Sequence, residues 1–227
     1  MLTFLFQYYG IDFVVADWLY RVEGNEWTLK HQLITEELLH GGGRAVSQTM
    51  GAIAIAGLII SMVWPSLRIW RRSLAYLILS VLLSTLSIST LKQLVSMDCP
   101  WDLARYGGDL PFIGLFESRP ANLPDTACFP AGHASAGYAW LALYFFFAAT
   151  LPRWRWLGLS VGLSMGLFFG FAQQLRGAHF LSHDLWTLMI CWTISLLLAH
   201  LLLRPPSHTK TRSYSPAESG STARNSL

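Results

Sequence analysis

The chain has 227 residues, of which 53% are apolar and only 13% charged, and ten are tryptophan. Charged residues are about half as frequent as in a soluble domain, which excludes an ordinary cytosolic or secreted globule. The formal net charge of +3 is no argument for nucleic-acid binding, because in such a chain the side of the membrane on which each charge lies carries the meaning.

Met1 to Tyr20 is apolar enough for a membrane span, although Asp12 and Asp17 would each cost about 2.5–3.5 kcal/mol near the bilayer centre; a crossing here stays open. The segment lacks the cationic opening and small-residue cleavage site of a signal peptide. Arg21 to His40, with Trp27, Leu33 and Leu38 among charges, reads as an amphipathic helix on the outer surface. Gly41 to Gly43 before Arg44 reads as a flexible entry to the next span and, without a following Lys-Ser or Lys-Thr, not as a phosphate loop. Asp, Glu, Lys and Arg are then absent from Ala45–Leu67, Ser73–Leu91, Thr126–Pro152, Trp156–Leu175 and Leu185–Leu203. Five such stretches of about twenty residues each suffice to cross a hydrocarbon core of about 30 Å. Beyond Arg204 the composition turns to Pro, Ser and Thr, too poor in apolar groups to repay its ordering entropy. The expected organisation is one membrane-embedded all-α bundle over 1–204 with five or six spans, followed by a disordered tail over 205–227.

Orientation follows from the loops. With Ser66–Arg72 cytoplasmic, alternation puts Pro152–Arg155 and the tail on the same side, and Lys92–His133 and Arg176–Asp184 on the other. Nine Lys and Arg then lie inside in short segments and seven outside over far more chain, as the positive-inside rule expects. Cys99 and Cys128 fall in one outer loop, where an oxidising compartment would join them, while Cys191 lies in a span.

Polar groups collect where the spans meet the outer face. Lys92 ends a span and begins KQLVSMDCP. Phe129–His133 (FPAGH) precedes the span starting near Ala134, where a helix start would aim backbone N–H groups of Ala131 and Gly132 outward. Arg176–Asp184 (RGAHFLSHD) packs an Arg, two His and an Asp between two spans. Lone interfacial histidines are usually structural, but His179 and His183 in one short loop, with His133 at a neighbouring span end, favour a functional cluster.

These three clusters, in this order, resemble the type 2 phosphatidic acid phosphatase and vanadium haloperoxidase superfamily. Its members carry Lys, six residues, Arg-Pro; then Pro-Ser-Gly-His; then Ser-Arg, five residues, His, three residues, Asp. Lys92 and Pro100 fit the first motif, with Cys99 at its Arg. Pro130, Gly132 and His133 fit the second, with Ala131 at its Ser. His179 fits the nucleophile of the third, with Gln173 at its Arg and His183 at its Asp. The resemblance covers about 72–203 and implies an acid phosphatase-like helical core. Arg176, one helical turn past Gln173, and Asp184, next to His183, are the nearby groups able to restore the missing charges; Arg105, or Arg119, is the candidate for the cation missing at Cys99.

The resemblance implies a lipid phosphatase acting on a polyprenyl diphosphate, a phosphatidate-like lipid or a lipid A phosphate. His179 would attack phosphorus and form a phosphohistidine, Asp184 or His183 would orient its ring, and His133 would protonate the leaving group and then activate water. Lys92 and Arg176 would hold the phosphate, with no metal and no cofactor. The expected partners are the lipid substrate and membrane lipids, with no nucleic acid. The expected setting is a bacterial inner membrane with the site on the periplasmic side and the tail in the cytoplasm. A phosphotransferase would use the same residues. A zinc site of His133, His179 and His183 is a further alternative, as is lipid handling without catalysis.

Overall fold

In the computed structural model the described residues are Phe6, 9–30 and 42–203. The tail over 205–227, and the part of the amphipathic segment after Lys30, lie outside them. Most of each charge-free stretch is helical, as backbone in hydrocarbon must be to satisfy its own hydrogen bonds; residues 126–131 are loop. The helices are α1 (Ile11–Val22), α2 (Gly42–Val63), α3 (Arg71–Leu94), α4 (Gly132–Tyr138), α5 (Ala142–Thr150), α6 (Arg155–Leu175) and α7 (Leu181–Leu202). Among the described residues there is no strand, only isolated backbone bridges at Met97–Ala127 and Leu103–Leu110.

Four helical segments are long and apolar enough to cross a membrane: Gly42–Val63, Pro65–Leu94, Pro152–Leu175 and Leu181–Leu202. A fifth stretch is assembled from α4, a 3-10 turn over Ala139–Leu141 and α5, about 28 Å of helix in all. Short connections make sequential helices antiparallel neighbours, here the turn Pro65–Trp70, the turn Pro152–Trp154 and the five residues between α6 and α7. The start of α2, end of α3, start of α4, end of α6 and start of α7 therefore share one end of the bundle. The opposite end carries Arg68, Arg71, Arg72, Arg153 and Arg155 with Trp64, Trp70, Trp154 and Trp156.

The centre of the bundle is held by close approach. Gly158, Gly162, Gly166 and Gly170 recur every four residues along one face of α6, and each is a contact point. A Cβ at Gly158 would lie 2.7 Å from the Leu143 carbonyl oxygen, and one at Gly170 would lie 2.6 Å from the Asp184 carboxylate. At Gly162 it would meet the backbone of Trp140 and Leu141, and at Gly166 the ring of Tyr138. Small residues that let helix backbones touch are the usual glue of membrane bundles. By contrast α2 buries only Gly43, Ala54 and Ser61 and turns Ile53, Ile55 and Ile59 outward, as a lipid-facing helix does.

The N-terminal segment is not a sixth crossing over its described part. Helix α1 has 12 residues, about 18 Å of rise, and both of its acids are engaged by the loop end of the bundle. Asp12 accepts a 2.8 Å hydrogen bond from the Ser182 amide, so it caps α7, whose own N-cap residue Phe180 provides no side-chain bond. Asp17 accepts from Arg105 and from the Tyr106 hydroxyl. Phe13 packs edge-on against Phe112 and Phe180.

Substituting Gly162→Ala is expected to lower the unfolding temperature in detergent, equivalent to about 1–3 kcal/mol of overpacking. Gly51→Ala, at a mid-helix position with nothing within 4 Å, is expected to be neutral or stabilising by up to about 1 kcal/mol. Equal effects would contradict the packing role assigned to the α6 glycines.

Candidate active site

Helix ends bring the polar clusters together. Lys92 lies in the last turn of α3, His133 in the first turn of α4, Arg176 caps the end of α6, and His179 lies in the loop before α7. All four line one cavity of about 260 Å3, with Cys99, Trp101 and Gln173 in its wall. Lys92 Nζ lies against the start of α4: a Cβ at Gly132 would sit 3.7 Å from it.

The loop that carries His179 is tightly built. Gly177 adopts φ +66°, and a Cβ there would come within 2.5 Å of the Trp27 indole, so both backbone shape and space require glycine. Its carbonyl accepts from the Trp101 amide at 3.0 Å, and the Ala178 amide donates to the Gln173 carbonyl at 2.9 Å. Arg176 is buried and donates through Nη2 and Nε to the Lys30 carbonyl at 2.8 and 3.3 Å. Segment 27–30 thus lies over the loop, pinned further by Lys30 Nζ 4.6 Å above the Trp101 ring.

Cys99 and Cys128 are joined by a disulfide, and Cys128 Sγ lies 3.6 Å from His179 Nδ1. A disulfide sulfur has no hydrogen to give, so this contact is suited to an imidazole carrying its proton on Nδ1. His179 is 4% exposed. Burial, followed by the neighbouring His183, Lys92 and His133, holds its pKa well below the ordinary imidazole value. The ring is therefore neutral at neutral pH, the form a nucleophile needs.

Several candidates lie elsewhere. Arg105 pairs with Asp17 and is half-exposed; it lines a different surface depression, with Tyr20 and Arg21. It holds the Asp17 carboxyl below its ordinary value and does not supply the missing cation. Arg119 does not either: both terminal nitrogens contact the buried Asp98 at 2.8 Å, in a knot completed by Thr126 and the Pro124 carbonyl. The Ala131 amide is turned to the His183 carbonyl at 3.4 Å and its own carbonyl accepts from Thr187, so Ala131 serves the α4–α7 junction and does not line the cavity. Asp184 accepts from the Gln174 side chain beside Gly170, which directs its carboxylate into the α6–α7 contact. The residue next to His179 is His183, ring centroids 5.7 Å apart, fully buried with neither ring nitrogen hydrogen-bonded.

For zinc, the trio of His133, His179 and His183 is not brought within ligand distance. The described group whose ligand atoms lie within 4.8 Å of one another is Cys128, His179 and His183. With Cys128 oxidised, two imidazoles are left, one short of the three protein ligands of a catalytic zinc, so the donor set does not fit the ion.

Sequence reasoning missed Asp12, Trp27, Trp101 and Arg44. A signal existed for Asp12, since an acid in an apolar stretch is a functional-site hypothesis by default. Trp27 and Trp101 act through tertiary contact alone. Gly43 and Arg44, read as a flexible entry, line a second cavity of about 330 Å3 that shares His133 and Gln173 with the first.

Comparison with known proteins gives one positive finding: a family profile described as PAP2 superfamily matches residues 73–207. No curated protein and no solved structure matches the chain.

The two arginines that do not reach the cavity differ in what their loss should do. Arg119→Ala strands the buried Asp98 and is expected to cost about 3–5 kcal/mol. Arg105→Ala removes an exposed pair and is expected to cost at most about 1 kcal/mol. Thermal unfolding in detergent checks the order; an Arg105 variant as damaged as the Arg119 variant would contradict it.

Proposed function

Since the chain belongs to the PAP2 superfamily, we propose that it is an integral membrane phosphatase that removes phosphate from a lipid monoester or diphosphate through a phosphohistidine on His179. The observation that carries the reading is the convergence of Lys92, His133, Arg176 and His179 on one cavity at one end of an apolar bundle. Phosphoryl transfer needs fixed positive charge, an activated nucleophile and a proton for the leaving oxygen, and these four side chains are of the types that provide them.

With Nδ1 facing the disulfide, Nε2 is the nitrogen of His179 left to attack. Its lone pair forms a bond to phosphorus as the bond from phosphorus to the leaving oxygen breaks. His133 gives that oxygen a proton, then takes one from the water that attacks the phosphohistidine and releases phosphate. Lys92 and Arg176 neutralise the oxygens of the transferring group, and Gly132 leaves the room beside Lys92 that a side chain would fill. His183 packs beside the His179 ring, and Asp184 steadies the start of α7. A lipid substrate follows from the position of the cavity, where a tail can stay among the spans while its head group enters.

The orientation is read from charge. Five arginines in short connections support the reading that the opposite end is the cytoplasmic one, with the catalytic end and its disulfide toward an oxidising compartment such as the periplasm.

Phosphate release from a panel of lipid phosphates by the purified chain tests this. His179→Ala is expected to fall to background, and His133→Ala by about 10²–10⁴-fold. Because the pKa of His179 is depressed, its protonation should not limit kcat/KM until the pH is below the ordinary imidazole range near 6.5. Wild-type rates in His179→Ala would refute the mechanism.

A further inference from the structure

The catalytic cavity has a neighbour. Its larger companion lies between α2, α3, α4 and α6, and is lined by Gly43, Arg44, Ser89, Phe169 and, on the shared wall, His133 and Gln173. Arg44 is exposed in the first turn of α2, a turn that contains no acid. No ion pair or hydrogen bond ties its side chain to another described residue, unlike Arg105, Arg119 and Arg176. A cation at a helix N-terminus is opposed by the helix dipole, so helix stability does not account for it. Gly43 lies directly under Phe169, where a Cβ would come within 2.6 Å of the ring, and this close approach brings the start of α2 to the cavity.

From this arrangement we propose that the second cavity holds the inner phosphate of a lipid diphosphate, with Arg44 and Ser89 as its ligands. The inference rests on the phosphatase reading above and narrows its substrate class. His133 stands on the wall between the two cavities, and the group that protonates the leaving oxygen must face the leaving group. The second cavity is therefore the leaving-group side. A monoester expels an alcohol, for which a proton from His133 suffices and a guanidinium has no partner. A diphosphate expels a phosphate monoester, whose negative charge is matched by Arg44. In that reaction Nε2 of His179 bonds to the terminal phosphorus, the bond from that phosphorus to the bridging oxygen breaks, and the electron pair stays on the bridging oxygen of the inner phosphate. Water then cleaves the phosphohistidine, so that lipid diphosphate and water give lipid monophosphate and inorganic phosphate. The tail leaves past Phe169, which Phe168 and Phe171 continue onto the lipid-exposed face of α6.

The test compares farnesyl diphosphate with farnesyl monophosphate, using the purified full chain in detergent. Wild type is expected to favour the diphosphate in kcat/KM. Arg44→Gln is expected to lower the diphosphate-to-monophosphate ratio by about 10–100-fold, the worth of a charged hydrogen bond, with partial recovery in Arg44→Lys. An unchanged thermal unfolding curve for both variants establishes that the fold is intact. Release from both substrates with the same ratio in wild type and Arg44→Gln, or a wild-type preference for the monophosphate, overturns this inference and leaves the phosphatase reading standing. Release from neither farnesyl substrate by wild type overturns this inference, and the phosphatase reading falls with it only when wild type also matches His179→Ala on the whole lipid phosphate panel.

Discussion

The cost of placing charge in hydrocarbon sorts this molecule. The spans carry no acid, Lys or Arg along their middle stretches, so nearly all the ionisable chemistry of the bundle is driven to its two ends. At one end arginines and tryptophans meet as an anchoring belt. At the other, four helix termini draw together Lys92, His133, Arg176, His179, His183 and Asp184. The glycine face of α6 makes this gathering tight enough to be chemical, because backbone contact with α4 and α5 leaves the end of α6, with its arginine, beside the start of α4, with its histidine.

Within that end, the departures from the family pattern are spatially connected. Cys99, at the place of the family arginine, is bonded to Cys128, and Cys128 Sγ faces Nδ1 of His179. His183, at the place of the family aspartate, is buried beside the same ring. The imidazole is thus bordered by sulfur and by a second neutral imidazole where the resemblance implies charged groups. The disulfide also closes the long loop between α3 and α4 over the cavity, joining loop stability to the setting of His179. Arg119 and Asp98 secure the same loop from within, which accounts for an arginine that proximity in sequence had offered to the phosphate.

Much of this was readable in the chain. Charge-free stretches mark the spans, and three short motifs offer Lys92, His133 and His179 as candidates, which line one cavity after folding, because periodicity and order survive in a single sequence. What could not be read depends on side chains that meet only after folding. Asp12 looked like a penalty within a span, and it is the cap of a helix 170 residues away. Arg176 lines the cavity, and its tie to the Lys30 carbonyl joins segments that no sequence spacing connects. Arg105 and Arg119 were separated from the site by partners, Asp17 and Asp98, that no spacing rule connects to them. Arg44 was passed over because a glycine run before a span is ordinary punctuation, and its cavity exists only once Gly43 has closed on Phe169.

The covalent role of His179 is the claim on which the functional account stands. It is tested most directly by mixing the purified protein with lipid phosphate labelled in its terminal phosphate, quenching within the first turnover, and mapping the labelled peptide. The account predicts an acid-labile, alkali-stable phosphoryl group on the peptide containing His179, absent from His179→Ala and longer-lived in His133→Ala. Label on another residue, or turnover with no labelled protein at any quench time, would contradict it.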